Sequence, residues 1–197
     1  MKLTAEQRIE RAHVRLMQSP EFCLFAGTFM VGKVIVDEKT KTAKTNGRDV
    51  VYGRAFVDSL DEKELAFLVV HEAMHKAYRH LTTWAHLTDK RRANRAMDYV
   101  INLQIVDCDK HEAVVAMPRK KDTGEIIGLI DEKYRGMDTH QVYELLEDEG
   151  GGGKGGDGEG GGSDQGGEGQ TDSKSDSLRS EEHTSELQSL AYLVCRL

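Results

Sequence analysis

Residues 71–80 read HEAMHKAYRH. The stretch holds three histidines and one glutamate, and its first five positions spell H-E-x-x-H. On a helix, His71 and His75 stand one turn apart on the same face. Both rings can then reach one ion, and neutral imidazole is a good ligand for zinc. Glu72 is rotated from His71 by about 100°. That position suits it to a water on the metal rather than to the metal itself. The metal lowers the pKa of such a water, and the glutamate takes its proton and passes it to a leaving amine. The order of the motif follows from this division of labour. The bland alternative is a chance match in an inert core helix. Context weighs against it, because the flank ELAFLVVHEAMH is apolar, as a helix crossing a core requires.

A zinc site that does chemistry needs a third protein ligand. His80 is the obvious candidate, but it follows His75 by five residues. On an unbroken helix it points about 140° away. KAYRH holds neither glycine nor proline to break the helix. The expectation is therefore a helix-end histidine, near the negative end of the dipole or bonded to a neighbour, with a supporting role left open. Asp98 is the better candidate. In RRANRAMDYVIN (91–102) it sits among Ala96, Met97, Val100 and Ile101, where a carboxylate needs a partner. Asn102 lies one turn on and can accept from the second nitrogen of a ligand histidine. The competing reading of Asp98 is an ion pair with Arg91 or Arg95. Lys90, Arg91, Arg92 and Arg95 read as a solvated helix face.

The rest of the 197-residue chain frames this segment. A net charge of −7 argues against a general nucleic-acid binder. Cys23, Cys108 and Cys195 form no C-x-x-C pair and read as reduced thiols. The N-terminus resembles no signal peptide and no stretch is long enough to span a membrane, so a cytoplasmic protein is expected. Thr4 and Gln7 form a capping box for a first helix with Ile9, Ala12 and Leu16 on one face, ended by Ser19-Pro20. FCLFAGTFMVGKVIV (22–36) predicts one strand or two short ones. DEKTKTAK predicts a polar loop, Asn46-Gly47 a turn, and residues 49–52 a short strand. Ser59-Leu60-Asp61-Glu62 predicts a second capping box for the helix that carries the motif. Thr88-Asp89 starts the next helix. Val114–Met117 is a short strand or an extended connection, and Asp138-Thr139 caps a last helix, HQVYELLED.

Composition changes at Gly150. Up to Ser177 there is no apolar side chain, so residues 149–178 predict a flexible linker after a folded domain at 1–148. RSEEHTSELQS (179–189) resembles the in-frame translation of a common sequencing adapter, and all eleven residues agree. Residues 179–197 are therefore set aside as non-native. The natural chain is expected to continue past the linker.

From Thr45 to Leu146 the chain resembles the metallopeptidase domain of bacteria and phages that is often joined to a C-terminal von Willebrand factor A-like domain. The matching pieces are TNGRDVVYGRAFVDSL, ELAFLVVHEAMHKAYRH, AMDYVINLQI and GLIDEKYRGMDTHQVYELL. The resemblance implies an α+β, zincin-like core with a small sheet and an H-E-x-x-H helix. It implies metal ligands at His71, His75 and Asp98, and a catalytic Glu72. It also implies that the linker led to a von Willebrand-like domain.

Two functions compete. One is a peptidase with one zinc ion per chain, acting on a peptide or protein, with the strand near Val50–Tyr52 pairing with extended substrate. The other is a metal-stabilised binding or assembly module working with an ATPase or a von Willebrand A-like partner. A small-molecule metallohydrolase is a weaker third. Glu72 favours the enzyme, because a structural metal has no use for a glutamate beside its first ligand and needs a fourth protein ligand instead of water.

Overall fold

The computed structural model describes residues 3–150 and 193–194. They form a mixed α+β structure with seven helices and a small sheet. Helix α1 (Ala5–Gln18) has the expected Thr4/Gln7 capping box and buries Ile9, Ala12 and Leu16. The next segment departs from expectation. Residues 23–25 form a 3-10 turn and Ala26–Phe29 a short helix, α2, so the strand β1 is only Val34–Asp37. The reason is visible in the spacing: Phe22, Phe25 and Phe29 recur at i, i+3 and i+7, a helical period inside a run rich in strand formers. Phe22 and Phe29 are buried in the core.

Strand β2 (Ala43–Thr45) lies within what reads as polar loop and turn, and β3 (Val50–Gly53) forms after the Asn46-Gly47 turn. Gly47 has φ +85°, the left-handed geometry glycine accepts freely. Strand order is β1-β3-β2-β4, with β1 parallel and β2 antiparallel to β3. Strand β4 (Leu193–Val194) adds to β2 opposite Thr45 and Lys44. It falls in the stretch set aside from the sequence, beyond the eleven adapter-like residues. The rest of the expected linker and tail, 151–192 and 195–197, lies outside the described residues. Because β3 is central, both its edges are occupied, and Val50–Tyr52 is not open to an incoming peptide.

Helix α3 (Arg54–Ser59) occupies the place where the sequence reading put a cap. The cap of the motif helix, α4 (Glu62–Ala77), falls two residues later: Asp61 caps Lys63 and Glu64, and Glu64 bonds back to Asp61. Residues 64–75 are all buried, so α4 runs through the middle of the molecule. On one side it meets α1, α2 and the sheet in an apolar core that includes Leu16, Phe22, Tyr52, Phe67 and Leu68. On the other it meets α6 (Lys90–Cys108), capped by Asp89. Helix α6 packs in turn on α7 (Thr139–Gly150) through a second core with Met97, Val100, Tyr134, Val142 and Leu146. Between α6 and α7 no strand forms at 114–117, where the Ala116 amide donates to the Lys63 carbonyl. Among the described residues no helix is long and apolar enough to cross a membrane.

Candidate metal centre

The polar groups lie where α4 and α6 cross. The helices are antiparallel, so His71 faces Asn102 and His75 faces Asp98. His71 Nε2 and His75 Nε2 are 3.0 Å apart. Asp98 Oδ1 lies 3.6 Å from the first and 3.2 Å from the second. His71, Glu72 and Asp98 are 0% exposed and His75 is 1% exposed. Asp98 does not turn to Arg91 or Arg95. Its Oδ2 accepts from Asn94 Nδ2 at 3.1 Å, which aims Oδ1 at the two rings. Asn94, Asp98 and Asn102 thus form an i, i+4, i+8 stripe along α6. Asn94 was missed in the sequence, although extending the Asp98–Asn102 spacing back one turn reaches it.

Asn102 settles the state of His71. Its Nδ2 donates to the Leu129 carbonyl at 2.9 Å, and a carbonyl only accepts. Its Oδ1 must therefore be the atom 2.7 Å from His71 Nδ1, and the ring carries its proton there. In the neutral ring Nε2 of His71 then carries the lone pair, and it points at the same place as His75 Nε2 and Asp98 Oδ1.

Burial acts on all three groups, and their mutual charges act against it. It pushes His71 down, but the Asp98 carboxylate, helped by Glu72 and Asn102, leaves it raised. It pushes His75 down to about 4, with His71 adding to the effect against the pull of Asp98. It pushes Asp98 up, but the two histidines hold it below the usual carboxylate range. Two ring nitrogens and a carboxylate oxygen converging in a dry site are a donor set suited to a cation. Among the described residues Asp98 Oδ1 has no aligned hydrogen-bond donor. The donor spacing fits a metal: four-coordinate zinc with bonds of about 2.0–2.1 Å separates its ligand atoms by about 3.3–3.4 Å. His71, His75 and Asp98 could therefore hold a metal ion.

Glu72 is near enough to His71 and Lys76 for its charge to act on both. Lys76 Nζ donates to the Val31 carbonyl at 3.0 Å, which ties this turn of α4 to the segment entering β1.

The path of the chain to His80 differs from expectation, although the histidine does bond to a neighbour. Helix α4 stops at Ala77, and Arg79 takes a left-handed conformation with φ 51°. The chain reverses and His80 opens the short helix α5 (His80–Thr83), its side chain buried. Its Nδ1 lies 2.9 Å from His75 Nδ1. Thr83 Oγ1 donates to the Tyr78 carbonyl and Thr82 Oγ1 to that of Arg79, which holds the turn without glycine. Burial, then the neighbouring His75, pushes His80 down to about 3. It meets the Nδ1 edge of His75, remote from the shared point, so it does not join the other three donors.

Such a centre, two histidines and a carboxylate around one point with a glutamate beside the first histidine, defines a candidate metallohydrolase site on a mixed α+β fold. The chain belongs to the family described as "Putative metallopeptidase domain", whose model matches residues 4–191. That match is longer than the Thr45–Leu146 resemblance and takes in α1 and the whole of the three-stranded part of the sheet. No curated protein and no solved structure matches the chain.

Proposed function

We propose that the chain is a zinc-dependent peptidase on a zincin-like core, with His71, His75 and Asp98 as ligands and Glu72 as general base. The observation that carries this reading is the donor triangle, with edges of 3.0, 3.2 and 3.6 Å. Zinc held there supplies Lewis acidity, lowering the pKa of water and polarising a peptide carbonyl. The protein's own residues do the rest. Asn102 and Asn94 orient His71 and Asp98. Glu72 accepts the proton of the attacking water and delivers it to the amine that leaves. Lys76 holds this turn of α4 against Val31. An extended substrate pairs with the outer edge of β1, since β3 is enclosed. His71, His75 and Asp98 would hold the zinc as three protein ligands, the number a catalytic rather than a structural site uses.

One observation favours the second reading, a non-catalytic metal-stabilised module that works with an ATPase or a von Willebrand A-like partner: the four site residues are fully buried. A peptide reaches them only if residues packed around them move. The two readings part at Glu72→Gln, which keeps the side chain's shape and removes its basicity. With zinc content measured beside hydrolysis of mixed peptides, the enzyme reading expects the variant to keep its zinc and lose hydrolysis by 100-fold or more, in the range of about 10²–10⁴ for such groups. Equal hydrolysis by both proteins would remove Glu72 from the reaction. Zinc in both and hydrolysis in neither would favour the module.

A further inference from the structure

His75 offers two nitrogens to two different neighbours. Nε2 lies 3.0 Å from His71 Nε2 and 3.2 Å from Asp98 Oδ1, so it belongs to the shared donor set. Nδ1, on the other side of the ring, lies 2.9 Å from Nδ1 of His80. A nitrogen that binds a metal carries no proton, so a metallated His75 carries its proton on Nδ1. That proton has to be accepted in a dry site, or its burial works against the bound state. His80 Nδ1 is the atom in place to accept it, and its own proton then sits on Nε2.

We propose that His80 is a positioning residue, whose Nδ1 accepts the Nδ1–H of His75 and so commits His75 Nε2 to the metal. The inference rests on the metal reading above. It gives the two histidine ligands separate supports from separate parts of the chain. His71 is held by Asn102, which is itself locked by the Leu129 carbonyl. His75 is held by an imidazole that the left-handed Arg79 brings back onto the end of its own helix. The support is neutral and aromatic rather than a carboxylate. It packs edge-on to His75, with ring centroids 4.9 Å apart at 81°, and therefore fixes the plane of the ring as well as its tautomer.

The test uses the full chain loaded with zinc, and two variants. His80→Asn places an acceptor oxygen where Nδ1 stood, on the same rotatable bond. His80→Leu fills the space and removes the acceptor. Zinc affinity by chelator competition should fall about 10–100-fold in His80→Leu, the usual effect of losing such a support. His80→Asn should stay within a few-fold of the parent. In the ¹⁵N-labelled parent, a coupling across the hydrogen bond should join Nδ1 of His75 to Nδ1 of His80. This second measurement needs no variant to fold. Parent-like affinity in His80→Leu, equal losses in both variants, or a metallated His75 bound through Nδ1 would each overturn the proposal while leaving the metal site standing. A parent that takes up no zinc would instead remove the reading beneath it.

Discussion

Helix α4 is buried on two sides by different chemistry. Towards α1 its neighbours are apolar: Ile9, Ala12 and Leu16 close on Leu65, Leu68 and the rest of the first core. Towards α6 the contact is polar at its centre, where His71, His75, Asp98 and Asn102 meet. Apolar burial stabilises whatever ion is present, because it depends on area removed from water. The polar seam is different. Its donors converge on one point, so under the proposed function its stability should depend on metal. One side of the helix fixes the fold, and the other carries the candidate site.

The largest expected effect tests the apolar side. Leu16 is fully buried, and Leu16→Ala should cost about 2–5 kcal/mol in denaturant unfolding. The loss should be the same in metal-free and zinc-loaded protein. A loss that changes with zinc would show that the two sides of α4 are coupled.

Next comes the seam. Zinc at about 100 times its dissociation constant should stabilise the parent by about 2.7 kcal/mol. Asp98→Ala should respond to the same zinc concentration with little or no rise in thermal midpoint. A rise equal to the parent's would mean that the carboxylate is not a ligand.

A pH dependence should appear on the apolar side too. His13 on α1 lies against Phe29, with ring centroids 5.7 Å apart. Burial, then the charge of Lys76, pushes it down to about 4. A depressed histidine stays neutral in the folded state while the unfolded chain takes up a proton. Stability contributed this way is complete above about pH 6.5 and is lost as pH falls from there towards 4. The change should be about 2 kcal/mol, allowing for partial exposure. His13→Gln should flatten that part of the profile, and an unchanged slope would assign it elsewhere.

The smallest expected effect is at Arg79. A non-glycine residue at φ 51° carries strain of about 1–2 kcal/mol. Arg79→Gly should therefore raise unfolding stability by about 1 kcal/mol, offset in part by glycine's freedom in the unfolded chain. Zinc affinity should not change. A weaker site would show that the arginine side chain, and not the turn alone, supports His80.

The distance between sequence and structure is also instructive at this turn. His71, Glu72 and His75 are local, and helical spacing alone puts them together. Asp98 was legible because a lone carboxylate among apolar residues asks for a partner, and Asn102 because it lies one turn away. The cap of α1 and the turn at Asn46-Gly47 follow from local chemistry as well. The break after Ala77 that brings His80 back to His75 was not legible, because a left-handed residue usually announces itself as glycine and here it is an arginine. The hydroxyls of Thr82 and Thr83 hold the reversal, and their partners are carbonyls that only the folded turn presents. Residues 22–29 were misread as strand, since an apolar aromatic run suits either state and only the phenylalanine spacing points to helix. Strand β2 lay in a polar segment with no alternation to reveal it. Its pairing with β3 depends on contacts that no local pattern encodes.

The central claim is that α4 and α6 together hold one divalent metal through His71, His75 and Asp98. Its most direct test is zinc affinity measured side by side in the parent, Asp98→Ala and His80→Ala. The account predicts one zinc per parent chain, a loss in Asp98→Ala far greater than that in His80→Ala, and nitrogen and oxygen neighbours at about 2.0–2.2 Å by X-ray absorption of the parent. Stoichiometric tight zinc in Asp98→Ala, with zinc lost from His80→Ala, would contradict it.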